Sequence, residues 1–391
     1  MNIVILTNIL NPYRKFFYDQ LWEQCKKNGD SFHVLLMART EEGRNWNYED
    51  YATSYSKLLK GKKIQIGKNY TLLNFGLKKE IKRLKPDIVI TAGSYMMVTV
   101  WLAIRYASKL NYKVYYWSES HDDEERNFSK FKMNLRTFFR TQTIKRFDGF
   151  WFAGRKAKEM LLKYSNPAAD YIFVPNLVDN SKFASEITEK MIEETCAKYH
   201  IDKSKRVFIC PARLHPVKGI MEFLQLFDSC ENHDRATILI AGQGELHDAI
   251  QEYVDQRKLD VRLLGYIQED EMVKLYAISD VFLMPSKSDP NPLTCIEACW
   301  RKLPLLVSEH VGNYPELVEE GTNGYVFSYK NPKDAIDKIN KMILASTKWM
   351  KEASEYSYET ALSKYEPHEQ VCRIINEVHV AHSVSGTRNR E

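Results

Sequence analysis

The sequence predicts an α/β protein of two doubly wound, parallel-sheet domains. Three observations carry that prediction. Short apolar runs rich in β-branched residues alternate with helical stretches along almost the whole chain, the pattern of a parallel sheet with helices on both faces. The alternation runs through twice, with a break at VPNLVDNSKF, 174–183. The 391 residues exceed one ordinary core and suit two domains of about 150–200 residues each. The expected boundaries are 1–178 and 179–362, with a C-terminal helix in 363–391 that packs back on the first domain before a polar tail.

In chain order, strands are expected at 2–7, 32–37, 87–91, 113–119 and 149–154, then at 206–212, 236–242, 261–266, 281–286 and 303–309. Helical stretches such as RKFFYDQLWEQCKK, IMEFLQLFDSCE, HDAIQEYVDQRK and EDEMVKLYAIS lie between them, and a charged helix is expected at 186–199. Residues 41–75 are polar, aromatic-rich and out of rhythm. They read as a loop or hairpin excursion, either a lid or partner surface or a plain surface insertion. MNIVILTNI has no basic lead and no small-residue cleavage site, so it reads as a first strand and not as a signal peptide. The one run of membrane length, 88–104, has Ala-Gly-Ser-Tyr at its centre. Strand, turn and helix explain it better than a membrane span.

A composition of 44% hydrophobic and 27% charged residues is that of a globular chain. The net charge of +5 fits anionic small molecules or an anionic membrane surface; no recognition module for nucleic acid is present. Seven scattered cysteines make no disulfide framework, which points to a reducing, cytoplasmic setting. Cys295 and Cys299 share a helix face without a second ligand pair and read as buried small hydrophobes. No Asp-x-Asp occurs in the chain, so no Mg²⁺ or Mn²⁺ site is expected.

Three stretches, each just after an expected strand, could bind a ligand, because ligands of open α/β sheets sit beyond the carboxyl ends of the strands. In PARLHPVKG, 211–219, Arg213 and Lys218 stand five apart before a helix begins near Gly219. Two cations beside a helix N-terminus suit a diphosphate; two solvated surface charges would read the same. In AGQGE, 241–245, Gly242 and Gly244 would let backbone pass close to a ligand, or simply make a tight turn. In SDPNPLTCIE, 288–297, Asn291 is an expected N-cap with Pro292 at the first helical position. Glu297 then lies about a turn and a half inside the helix, leaning back towards its start, with Asp289 in the loop above. One carboxylate would accept two ribose hydroxyls and the other would bind a sugar; a turn former and a paired structural acid are the alternative.

The order R-x4-K, G-x-G-E, acid-x7-E, then GNYPELV (312–318) and GTNGYVF (321–327) resembles glycosyltransferase family 4. The resemblance covers most of 170–330, while the amino-terminal half matches mainly in its strand–helix rhythm. It implies a GT-B fold, two Rossmann-like domains facing a central cleft, with acceptor on the first and nucleotide-sugar donor on the second. It also implies retaining, metal-independent transfer without a cofactor. Carried over, Arg213 and Lys218 bind the donor diphosphate, Glu297 the ribose, Asp289 the transferred sugar, and backbone N–H groups near Leu293 and Thr294 meet phosphate or sugar. The chain departs from the family in having Asp289 for the usual Glu, and Asn291-Pro292 for the usual Phe-Gly. Asp is one methylene shorter and Pro292 has no N–H to donate, so the departures fall on the sugar-side contacts that set donor identity.

The family's frequent Gly-Gly turn after the first strand is replaced by TNILNPYRKFF, 7–17, which offers Tyr13 and Arg14 on the acceptor side; Arg14 would contact an anionic acceptor or the donor phosphate, and a surface charge at a helix start is the alternative. Family members often place a His after the strand at 113–119, which makes His121 the catalytic candidate, with Glu119 behind it. A capping or salt-bridging role for both is the alternative. Residues 126–158 hold ten Lys or Arg against one acid, Asp148, with Phe128, Phe131, Met133, Leu135, Phe138 and Phe139 interleaved. They read as a basic amphipathic helix on the inner face of the cytoplasmic membrane, or as a packing helix with a solvated basic face. The expected activity is hexosyl or related transfer to a glycan or lipid-linked glycan, as in capsule or O-antigen synthesis. A nucleotide-sugar epimerase or hydrolase of the same fold, or a silent partner subunit, are the rivals.

Overall fold

The computed structural model describes all residues but 41–47, 67–68, 123–129, 184 and 389–391; side chains are also left undescribed at 66, 69, 130–133 and 384–388. It divides into two compact units: Met1–Ser120, Arg126–Leu177 and Pro367–Glu391 in the first, His121–Glu125 and Val178–Glu366 in the second.

Among the described residues the first unit has nine strands: β1 (Asn2–Thr7), β2 (Ser31–Leu36), β3 (Ser56–Leu58), β4 (Gly61–Ile66), β5 (Asn69–Asn74), β6 (Ile88–Ala92), β7 (Lys113–Ser118), β8 (Gly149–Phe152) and β9 (Asp170–Phe173). Seven form a parallel sheet in the order β3-β2-β1-β6-β7-β8-β9. Ile3–Leu6, Ile88–Ile90 and Val114–Trp117 are buried, which is why these strands read as unbroken apolar runs. The excursion over 41–75 resolves, where described, into edge strand β3 and the antiparallel hairpin β4–β5. The run at 88–104 becomes β6, a turn and the helix Val98–Leu110; no described helix is long and apolar enough to cross a membrane. The C-terminal helix Pro367–Arg388 lies on the helix Pro12–Lys27 and on β9. Arg373 donates to the Phe173 carbonyl at 2.6 Å, and the His379 Nε2 sits 2.6 Å from Asp30.

Among its described residues the second unit has six strands, β10 (Arg206–Pro211), β11 (Ala236–Ala241), β12 (Val261–Gly265), β13 (Val281–Met284), β14 (Leu305–Ser308) and β15 (Gly324–Phe327), all parallel in the order β12-β11-β10-β13-β14-β15. The chain therefore winds outward from β10 through β12, then returns to β13 and winds the other way. The turning point lies between β10 and β13, where an open sheet leaves its crevice. These two strands pair over Phe208↔Val281 and Ile209↔Phe282, while β10 and β11 pair over the whole of Arg206–Pro211. The loops after β10 and β13 thus part early and leave room between them.

β1 ends where the sequence reading ends it, β6 ends one residue later, and the other expected strands end one or two residues short, because the apolar run continues into buried loop residues such as Met37, Ala153 and Ala212. The cap assignment changes more. The helix after β13 is Leu293–Trp300, with Pro292 as its N-cap in an extended conformation and no side-chain cap. Asn291, expected to cap it, stands one residue outside and is buried. Cys295 and Cys299 are buried on this helix, and burial pushes the Cys299 thiol up to about 12. They are core, not ligands.

Candidate active site

In the second unit, the loop after β10 carries Arg213 and Lys218. His215 starts a short 3₁₀ turn, Pro216–Lys218, by accepting the Val217 N–H on its ring nitrogen, and the helix Ile220–Asp228 follows. Arg213 is exposed, and no described residue forms an ion pair with it. Lys218 reaches from this loop to the one after β13, where its Nζ lies 2.5 Å from the Asp289 carboxylate. Two candidates 71 residues apart thus meet across the gap between β10 and β13.

The Asp289 loop is held from the next strand. The Asp289 N–H donates to the His310 carbonyl at 3.3 Å, and the Gly312 N–H donates to the Asp289 carbonyl at 2.7 Å. Asn313 Nδ2 donates to the Pro292 carbonyl at 3.0 Å, fixing the start of the helix. Gly312 is required here: a Cβ would run into the Pro290 carbonyl and come within 2.9 Å of the His121 ring. Sequence reading recognised the 312–318 stretch but gave it no task. Its task is to brace the loop that bears Asp289. Leu293 and Thr294 stand half-buried in the first turn of the helix, where N–H groups lack intrahelical partners and favour an anion.

Glu297 is buried and accepts a hydrogen bond from the Tyr276 hydroxyl at 2.8 Å. Burial pushes its carboxyl up to about 7, against the favourable pull of that hydrogen bond; Glu269 adds to the rise and Lys182 opposes it. Sequence reading missed Tyr276, an apolar-looking residue near the end of the helix Glu269–Ala277.

Gly242 and Gly244 serve packing. A Cβ on either would collide with the carbonyl oxygen of Ala212 or of Leu214. The two loops are laced by the Leu214 N–H to the Gln243 carbonyl and the Leu246 N–H to the Leu214 carbonyl, both 3.0 Å. The glycines therefore set the position of the loop that carries Arg213.

In the first unit, Asn11 caps the helix Pro12–Lys27 by accepting the Arg14 N–H at 2.8 Å, with Pro12 in the first turn. Tyr13 is exposed there. Arg14 lies 3.8 Å over the Trp117 ring and is ion-paired with Glu119. These two sequence candidates thus meet each other at the end of β7. His121 is buried among the second unit's residues, beside Gly312.

Residues 191–360 match the family model of glycosyl transferases group 1. The match spans less than half of the chain. Spore coat protein SA of Bacillus subtilis is 30% identical to the chain over 172 residues, 41% of this chain and 45% of that protein. The UDP-Gal:alpha-D-GlcNAc-diphosphoundecaprenol alpha-1,3-galactosyltransferase of Escherichia coli is 31% identical over 188 residues, 46% and 48% of the two chains. The chain spans about half the length of these two curated relatives. The crystal structure of HepE from Anabaena in complex with UDP-glucose superposes with a TM-score of 0.70, covering 97% of this chain and 100% of that one at 14% identity. At that identity the likeness speaks for the fold alone, and the fold is GT-B with two Rossmann-like units. The matched segment contains Arg213, Lys218, Gly242, Gly244, Tyr276, Asp289, Glu297 and Gly312, but not His121 or Lys182.

Proposed function

We propose that the chain is a retaining glycosyltransferase of family 4 type. It moves a sugar from a nucleotide diphosphate sugar to a hydroxyl of a glycan or lipid-linked glycan, without a metal. The observation that carries this reading is the meeting of Lys218 and Asp289 across the turning point between β10 and β13. A cation for the diphosphate and a carboxylate for sugar hydroxyls stand together there, beside a helix start. The bond from the sugar's anomeric carbon to the β-phosphate oxygen breaks and a bond to the acceptor oxygen forms on the same face. The acceptor proton goes to the departing phosphate. Arg213, Lys218 and the first N–H groups of Leu293–Trp300 stabilise the charge that develops on the nucleoside diphosphate, so a metal has no separate task. Glu297 takes the ribose, Asp289 the transferred sugar, and His121 lines the sugar's side.

The acceptor suits a membrane. On the helix Lys130–Ile144, Leu135, Phe138 and Phe139 are exposed at i, i+3 and i+4. Arg136 donates to the Tyr95 hydroxyl at 3.3 Å, and Arg140 lies 5.2 Å from the Tyr164 ring centre. The helix thus turns Arg136 and Arg140 to protein and Leu135, Phe138 and Phe139 outward, as a surface resting on lipid does. Lys145 and Arg146 remain exposed beyond it for anionic headgroups. The proposed place of work is the cytoplasmic face of the membrane.

The test is nucleotide-sugar consumption by the purified chain with UDP-, GDP- and ADP-sugars, with and without a glycan acceptor, in buffer and in EDTA. Acceptor-dependent product that survives EDTA supports the reading. Consumption without acceptor indicates an epimerase or hydrolase, and no binding of any donor indicates a silent subunit.

A further inference from the structure

We propose that Tyr276 is a positioning residue of the donor site, fixing Glu297 so that one carboxylate oxygen is held from within the protein and the other is left for the ribose. The inference rests on the assignment of Glu297 to the donor ribose and adds to it a residue that no motif contains.

The observations are local to the second unit. Glu297 Oε2 accepts the Tyr276 hydroxyl hydrogen at 2.8 Å, and both side chains are buried. The Tyr276 ring is itself fixed, packed edge-on to Phe183 at 6.3 Å and tilted to Phe282 at 6.5 Å between ring centres. A carboxylate on a helix has rotamer freedom, and binding two hydroxyls requires it to stop in one orientation. A hydroxyl on a rigid, packed ring supplies that stop.

The same bond acts on charge. An acid buried this fully resists ionisation, yet accepting two ribose hydroxyls calls for the carboxylate. A hydrogen bond to the charged form favours it. Two charged groups act on Glu297, and they oppose each other: Glu269 on the helix of Tyr276 and Lys182 on the helix Asn180–Phe183. They are also paired with one another at 2.7 Å. The hydroxyl of Tyr276 is therefore the one direct polar support that Glu297 receives among the described residues.

The experiment measures binding of UDP, GDP and ADP by calorimetry from pH 6 to 8.5, for wild type, Tyr276→Phe and Glu297→Gln, and carries on with the tightest nucleotide and its 2′-deoxy analogue. Thermal unfolding checks that each variant folds. Wild type is expected to lose affinity towards pH 6, and Tyr276→Phe to show that loss at higher pH, with about tenfold weaker binding at pH 7, the size of one hydrogen bond to a charged group. Glu297→Gln keeps only the slope of the ligand phosphates. Against the 2′-deoxy nucleotide, the Tyr276→Phe penalty should shrink. A folded Tyr276→Phe protein with wild-type affinity and pH profile overturns this inference while leaving the donor site intact. Failure of wild type to bind any of the three nucleotides overturns the donor-site reading as well.

Discussion

Asp289 and Lys218 form the pair on which the site turns, and their coupling makes opposite predictions for the two partners. Lys218 is held by Asp289 at 2.5 Å, so it must be shared with or surrendered to the diphosphate. Asp289→Asn releases it. Nucleoside diphosphate binding is expected to tighten by up to about fivefold, the ceiling for a partly exposed pair, while sugar transfer falls. Comparing nucleotide affinity with transfer rate in this variant checks it; parallel losses of both would count against the assignment. Glu297 carries a separate, pH-linked prediction. Its carboxyl is pushed up to about 7 in the fold from an ordinary 4.5, so between these values the folded state binds the extra proton. Stability therefore declines as pH rises from about 4.5 to about 7. Glu297→Gln should flatten a contribution of about 3 kcal/mol, read by denaturant unfolding across that range. None of these pairings was legible in the sequence. Lys218 and Asp289 lie 71 residues apart, Arg14 and Glu119 lie 105, Tyr276 and Glu297 lie 21, and only the order of strands brings them together.

At the scale of elements, the sheet was largely readable because parallel strands buried on both faces leave unbroken apolar runs. The strands that escaped are those without such runs. β9, Asp170–Phe173, is a half-exposed edge strand opening on a carboxylate, and β15, Gly324–Phe327, is short and Gly-started. The cap was misplaced by one residue for a related reason. Asn-Pro reads as cap and first helical residue, but Pro292 takes the extended conformation, and Asn313 from the next loop holds its carbonyl. Elements also locate the role of the glycines. Gly242→Ala would press a methyl into the Ala212 carbonyl and should cost about 1–3 kcal/mol in stability. It should also weaken nucleotide binding by shifting the loop of Arg213. Denaturant midpoints and nucleotide affinity measured together check this; an unchanged affinity in a destabilised protein would detach the glycine from the site.

For the whole molecule, the fold class and the group 1 segment were legible because the second unit's motifs each follow a strand end, where the fold places ligands. The first unit was legible in rhythm only, since the loops after its strands carry aromatic and charged residues in no recognisable spacing. Its exposed Leu135, Phe138 and Phe139 predict that the chain sediments with vesicles containing anionic lipid. Changing all three to Ser should reduce that binding at least about tenfold, given the apolar area withdrawn, and leave nucleotide affinity unchanged. Equal sedimentation of the variant would remove membrane contact from the proposal. In the proposed function the donor diphosphate lies between β10 and β13. The most direct test of that placement is the dissociation constant of the preferred nucleotide diphosphate sugar for wild type and for Lys218→Ala. Loss of a charge-assisted contact predicts about ten- to a hundredfold weaker binding, whereas equal affinity in the two proteins would contradict it.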